Sequence, residues 1–202
     1  FFPYYRDLAL VLGLGVTPEE VLLQAVGSAE DPASGGRQMP SHWGADHLNI
    51  VTQSSPTGSQ CLPAVGCAEA ARYISRRPDL PGCTAHGDEL TYVSLGEGAT
   101  SEGEFWESLN TACTLHLPVL YVVADNGYAI SVPRVDQSPA PISELVRGFR
   151  GLRTYQVDAR DYFAAHHTAA HAVAHVRAGT GPALVHATGT RPYSHSAADT
   201  QS

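Results

Sequence analysis

Two short polar turns hold the side chains of this sequence best suited to gripping a cation. Gly96-Glu97-Gly98 offers a carboxylate, and Asp125-Asn126-Gly127 offers the amide oxygen of Asn126. Gly127 permits a sharp turn that aims the backbone carbonyl of Tyr128 at the same point. Three protein oxygens, two from phosphates and one from water complete the octahedron that Mg²⁺ prefers. Gly98 has no Cβ and lets the backbone approach a phosphate closely. A Gly-x-Gly turn alone is common and weak. The pairing of two turns, with an acid in one and Asn-Gly in the other, carries the reading.

The flanking residues predict how these turns meet. Residues 90–95 form a short, apolar, β-rich run stopped by Gly96, and residues 119–123 form a second, stopped by Asp125. Between them Ser101 is placed to cap a helix beginning near Glu102, with Glu104 completing a capping box. Phe105, Leu109, Ala112 and Leu115 give that helix an apolar stripe, and Pro118 ends it. Strand, helix and strand with short joins make a βαβ unit, so the strands should be parallel. Their carboxyl ends then share one edge, where open α/β sheets bind ligands.

Other segments fit the same plan. Thr17-Pro18-Glu19-Glu20 is a capping box with Pro in the first helical position, opening a helix through Ala25. Residues 58–75 read as a helix with Leu62, Val65, Ala68 or Glu69, and Arg72 along it. Residues 78–89 and 133–142 read as loops. Strands at 153–157 and 183–187 bracket a helix over 161–178, a second βαβ unit. On that helix His167, His171 and His175 share a face, a row able to chelate Zn²⁺ or Ni²⁺. No Cys or acid completes a tetrahedron nearby. The row therefore reads as a solvated face opposite Phe163, Ala170, Val173 and Ala174. The expectation is an α/β fold, a parallel sheet flanked by helices, in one domain spanning residues 1–202.

Composition narrows the function classes. The chain has 202 residues and a formal net charge of −8, which argues against nonspecific nucleic-acid binding. No apolar run resembles a membrane span, and the N-terminus resembles no signal peptide. Cys61, Cys67, Cys83 and Cys113 form no Cys-x-x-Cys pair and read as reduced thiols of a cytoplasmic protein.

At this point the residues resemble a family. Gly96-Glu97-Gly98, followed after residues 99–124 by Asp125-Asn126, is similar to the thiamine diphosphate motif, usually Gly-Asp-Gly ending in Asn-Asn. The longer string GEGATSEGEFWESLN…NGYAIS resembles the α subunit of 2-oxoacid dehydrogenase E1 components. SGGRQMPSHWG, from Ser34 to Gly44, is closest to the branched-chain type. The resemblance runs from PYYR at Pro3 to HSAADT. It implies a thiamine diphosphate-binding fold and oxidative decarboxylation of a branched-chain 2-oxoacid. The acyl group would pass to a lipoyl arm on an E2 acyltransferase. It also implies an E1 β subunit in an α₂β₂ tetramer, which supplies the glutamate that activates the cofactor. Pyruvate or acetoin as substrate, and a non-catalytic fragment that keeps only the fold, are the alternatives. The chain opens directly into PYYR and stops inside a loop of the family, so the resemblance implies family segments beyond both ends.

Carried over residue by residue, Tyr5 and Arg6 contact the diphosphate, and Ser55, Pro56 and Thr57 line the cofactor rings. Glu97, Asn126 and Tyr128 are the Mg²⁺ ligands. Gly96, Gly98 and Ala99 offer backbone to the diphosphate, and Arg191 belongs to the loop that closes over the site. His195 is the catalytic histidine, suited to giving and taking protons near neutral pH. Ser196 matches a position phosphorylated in some relatives. Ser54, Pro56, Ser59 and Gln60 match positions that hold K⁺ in some relatives. The same SSPTGSQ segment also reads as a turn capping the next helix. Four residues depart from the pattern. Thr57 replaces a bulky aliphatic residue, Asp125 the first Asn, Ala124 an Arg and Ser194 a His. Asp125 places negative charge beside a diphosphate, which weakens binding unless the side chain points away or assists the metal.

Overall fold

The computed structural model describes residues 1–77, 79–82 and 86–196. In chain order its helices are α1 (Leu8–Leu14), α2 (Pro18–Ala25), α3 (Cys61–Ser75), α4 (Gly103–Leu115), α5 (Arg134–Gln137), α6 (Ile142–Leu145) and α7 (Tyr162–Arg177). Its strands are β1 (Thr91–Gly96), β2 (Val119–Asp125), β3 (Tyr128–Ala129), β4 (Val132–Pro133), β5 (Arg153–Asp158) and β6 (Ala183–Thr188).

The main sheet has the order β1-β2-β6-β5, and every pairing in it is parallel. Both expected βαβ units are therefore present. Parallel strands bury both faces, which is why β2 reads as the nearly unbroken apolar run Val119-Leu120-Tyr121-Val122-Val123. On one face α3, α4 and α6 pack against Val93, Leu95, Tyr121, Val123 and Leu184. On the other, Ala172 and Val176 of α7 pack against Leu120, Ala183 and Val185. Phe105 and Leu109 of α4 are fully buried in the first layer, each worth roughly 1.5–3 kcal/mol of transfer free energy.

Several expectations need correction. Ser101 does not cap α4. Residues Glu97–Ser101 wind as a 3₁₀ turn, Glu102 takes the cap position without a side-chain bond, and the Ser101 hydroxyl accepts from Gln137 Nε2 at 3.1 Å. The tighter turn wins because it buries Ala99 and Thr100 and lets the Thr100 hydroxyl donate to the Glu97 carbonyl at 2.6 Å. α3 begins at Cys61, since Gly58 sits at φ +83° in the preceding turn. Its inner face is Cys61, Ala64, Val65 and Ala68, whereas Leu62 is exposed. Small residues face inward there because α3 lies against both α4 and β1. α7 meets the expected face only in part: Val173 packs against the sheet cluster, but Phe163 is 82% exposed, Ala170 and Ala174 face solvent, and Ala172 and Val176 are the buried residues. Residues 133–142, expected as loop, contain α5.

Other expectations hold. Thr17 forms both halves of its capping box, accepting from the Glu20 N–H at 3.2 Å while its own N–H donates to the Glu20 carboxylate at 2.6 Å. Asp161 caps α7 by accepting from the Ala164 N–H at 3.0 Å. His116, at φ +52°, closes α4 and leads through Pro118 into β2. Cys61, Cys67 and Cys113 are free thiols, and burial pushes the Cys61 thiol up to about 12. Cys83 lies outside the described residues, as does part of the expected 78–89 loop. Among the described residues no helix is long and apolar enough to cross a membrane.

The N-terminal arm completes the site edge. Phe2 pairs with Val93, its N–H donating to the Tyr92 carbonyl at 2.8 Å, so the arm runs beside β1. The Trp43 indole donates to the Tyr4 carbonyl at 3.0 Å, and the Tyr4 ring lies against Gly96. The Asp7 carboxylate accepts from the Tyr4 N–H and from the hydroxyls of Ser94 and Tyr92. Burial nevertheless raises its pKa to about 6.

Candidate functional site

Glu97 is the first residue after β1 and Asp125 the last of β2, so parallel pairing brings both carboxylates to one edge. Both side chains point to the face covered by α3, α4 and α6, because Leu95 and Val123, two residues earlier on each strand, lie in that layer. Both are buried, at 6% and 7% exposure. Their partners differ. Glu97 Oε2 accepts from the Asn126 N–H at 3.4 Å, and among the described residues the buried Glu97 Oε1 has no hydrogen-bond partner. Burial, reinforced by the charge of Asp125, raises the Glu97 pKa.

Asp125 is satisfied on every side. Oδ1 accepts from the Gly127 N–H at 2.9 Å. Oδ2 lies 2.8 Å from His186 Nε2 and 3.5 Å from Arg134 Nε. His186 Nδ1 meets the Ser143 hydroxyl at 3.0 Å. Burial opposes ionisation of Asp125, but the hydrogen bonds with His186 and Gly127 and the nearby charge of Arg134 outweigh it and hold its pKa below the ordinary value. One carboxylate oxygen thus braces the turn through Gly127, while the other faces His186 and Arg134 inside the protein.

The turn itself has the expected shape. Gly127 lies at φ +85°, and the Asn126 side-chain oxygen accepts from the Tyr128 N–H at 3.2 Å. That bond uses one lone pair of the amide oxygen and leaves a second for a cation. The missing side chain at Gly98 serves packing, since a Cβ there would stand 2.5 Å from the Cβ of Ala129. The Gly98 carbonyl accepts from Gln137 at 2.9 Å. Arg191 donates to the Ile130 carbonyl at 2.7 Å and lies over the Tyr128 ring at 5.7 Å, while among the described residues its buried Nε and second terminal nitrogen have no hydrogen-bond partner.

The chain ends meet at a second cluster. Arg6 donates to His195 Nδ1 at 3.0 Å and lies 5.1 Å from the Tyr5 ring centroid, and the Tyr5 and His195 rings are 6.0 Å apart. Ser194 and Ser196 flank that histidine. Thr57 is exposed, and Ser55 is engaged with His42 at 2.9 Å. The Ser59 hydroxyl donates to the Pro56 carbonyl and the Gln60 amide to the Ser94 carbonyl, the contacts of a turn that opens α3. Among the described residues no three or more His, Cys, Asp and Glu side chains group as a metal cluster. Glu97, Asn126 and a backbone carbonyl are a mixed oxygen set of another kind. His167 and His171 are exposed on α7, and His175 bonds Thr180. His186, Ser143, Arg134 and Gln137 escaped the sequence reading. The one usable signal was a histidine inside the apolar run Ala183-Leu184-Val185-His186-Ala187.

The model of the family described as dehydrogenase E1 component matches residues 1–202. The chain belongs to the dehydrogenase E1 component family. This E1 chain is 36% identical over 201 residues to the 2-oxoisovalerate dehydrogenase subunit alpha of Bacillus subtilis, covering 99% of the chain and 57% of that protein. It is 35% identical over 199 residues to the 3-methyl-2-oxobutanoate dehydrogenase subunit alpha of Mycobacterium tuberculosis, covering 98% of the chain and 48% of that protein. It thus spans about half the length of these relatives. Transketolase from Leishmania mexicana shares the fold with a TM-score of 0.61 at 22% identity, covering 90% of the E1 chain and 26% of that one.

Proposed function

We propose that this chain serves as the α subunit of a thiamine diphosphate-dependent E1 that oxidatively decarboxylates branched-chain 2-oxoacids in the cytoplasm. It would act with a β subunit in an α₂β₂ assembly and pass the acyl group to a lipoyl-bearing E2. Family membership and the names of the similar relatives support the reaction class. The single observation in the site that supports it is the buried, unpartnered Glu97 Oε1 beside the Asn126 turn. A hard cation satisfies such an oxygen, and Asn126 Oδ1 and the Tyr128 carbonyl supply further oxygen ligands. The unpartnered guanidinium nitrogens of Arg191 suit an anion, as does Arg6.

Thiamine diphosphate, when bound, supplies the carbon nucleophile and the electron sink for loss of carbon dioxide. The chain's own residues bind, orient and move protons. Glu97, Asn126 and Tyr128 would hold Mg²⁺, and Arg6 and Arg191 would pair with phosphate oxygens. Arg6 donates to His195 Nδ1, which makes that nitrogen the acceptor and leaves the ring proton on Nε2. His195 Nε2–H is then the group that gives and takes a proton at the substrate oxygen.

The test is calorimetric titration of thiamine diphosphate with and without Mg²⁺ into the chain co-expressed with a β subunit. Saturable binding that needs Mg²⁺ is expected. A stable assembly that binds no cofactor sinks the proposal. Faster turnover of pyruvate than of 3-methyl-2-oxobutanoate would replace the branched-chain assignment.

A further inference from the structure

We propose that His186, seconded by Arg134, is a positioning residue that draws Asp125 away from the cofactor edge and so fixes the Asn126–Tyr128 turn in its ligand-presenting shape. The inference rests on the metal-site reading above. Asp125 stands next to Asn126 and shares a sheet edge and face with Glu97. Left to itself, its carboxylate would add negative charge beside Glu97 and a diphosphate, or compete with Asn126 for the cation.

The structure offsets the charge of Asp125 in part, though Glu97 still feels it, and turns the carboxylate to partners other than a cation. His186 lies on β6 opposite Val123, with its ring on the same face as Asp125. Its Nε2 holds Asp125 Oδ2 at 2.8 Å, while Ser143 at the start of α6 holds Nδ1 at 3.0 Å and sets the ring plane. Arg134 brings the compensating positive charge to within 3.5 Å. Arg134 also ties the backbone, its N–H donating to the Gly127 carbonyl at 2.8 Å. With Oδ2 anchored, Oδ1 is left in place to accept from the Gly127 N–H, and the Asp125 carbonyl accepts from the Gly189 N–H at 2.8 Å. One buried carboxylate thus links β6, α5 and α6 to the turn that carries Asn126 and Tyr128. Outer partners of this kind orient the groups that touch a metal.

The test uses the chain assembled with a β subunit and two readouts: Mg²⁺-dependent thiamine diphosphate affinity by calorimetry, and backbone amide exchange over residues 125–134 without cofactor. His186→Ala is expected to weaken affinity about 10- to 100-fold and to speed exchange in that segment. His186→Gln, whose amide can still donate to Asp125, is expected to restore most of both. Arg134→Gln, at a half-buried position, is expected to show the same two changes to a smaller degree, and it carries the test where His186→Ala does not fold. If His186→Ala lowers thermal stability but leaves affinity and exchange over 125–134 unchanged, His186 is merely structural and the proposal is overturned. If the unmodified assembly binds no cofactor, the functional reading fails instead. Amide exchange then decides positioning alone, faster exchange confined to 125–134 supporting it and unchanged exchange overturning it.

Discussion

Glu97 and Asp125 end neighbouring strands, point to the same face and are buried to nearly the same degree, yet their pKa values are displaced in opposite directions. Asp125 is surrounded by donors from Gly127, His186 and Arg134, so its charge is spent inside the protein. The backbone N–H groups of Glu97 itself, Asn126 and Tyr128 lie near the Glu97 carboxylate, but the Asn126 contact is long at 3.4 Å and among the described residues Oε1 has no hydrogen-bond partner. Depth of burial therefore does not separate a structural carboxylate from one available to a ligand. The count of donors around it does, because an uncompensated buried charge is costly unless something outside the chain completes it.

The contrast is broken most strongly at Asp125. Asp125→Ala leaves His186 and Arg134 facing a gap, and urea unfolding should register a loss of about 3–5 kcal/mol. Glu97→Ala should act on binding, weakening Mg²⁺-dependent thiamine diphosphate affinity by at least about 100-fold, or ~2.7 kcal/mol. Unchanged affinity would remove Glu97 from the proposed metal site.

The pH dependence of stability sharpens the contrast further. Asp125 has a lowered folded pKa, so its stabilising contribution is complete above the unfolded value of 3.8 and is lost as pH falls through the folded value. Glu97 has a raised one, so the folded chain holds the proton more tightly. Stability on its account falls as pH rises from 4.5 through the folded value and stays reduced above it. Glu97→Gln should therefore gain on the native chain as pH rises, while Asp125→Asn should lose on it as pH rises. Denaturation midpoints between about pH 3 and 7 read both trends, and parallel trends for the two variants would dissolve the distinction. The smallest effect is expected away from this edge. Phe163→Ser, at an 82% exposed aromatic, should stay within about 0.5 kcal/mol in the same assay.

Much of the site's frame is legible in the sequence. β1, α4 and β2 follow from local signals: β-rich runs stopped by Gly96 and Asp125, an apolar stripe led by Phe105 and Leu109, and Pro118 before the second strand. The inner face of α7 was not legible. Alanines and histidines alternate along it, so Phe163 dominates any pattern of hydrophobicity, yet the sheet accepts Ala172 and Val176, which allow close approach. Ser101 was misread for a related reason. A capping box competes there with a 3₁₀ turn whose advantage lies in burying Ala99 and Thr100, which local sequence does not report.

By itself the sequence determined the strand–turn pairing, the parallel edge and the placing of Glu97 and Asn126 at that edge, since these depend on residues adjacent in the chain. Only the tertiary structure decided which carboxylate stays available. The partners that claim Asp125 include His186, 61 residues away on another strand. Arg6 and His195, at opposite ends of the described chain, meet only because the N-terminal arm is bound along β1. Burial and donor count are sums over such distant neighbours, and no local pattern encodes them.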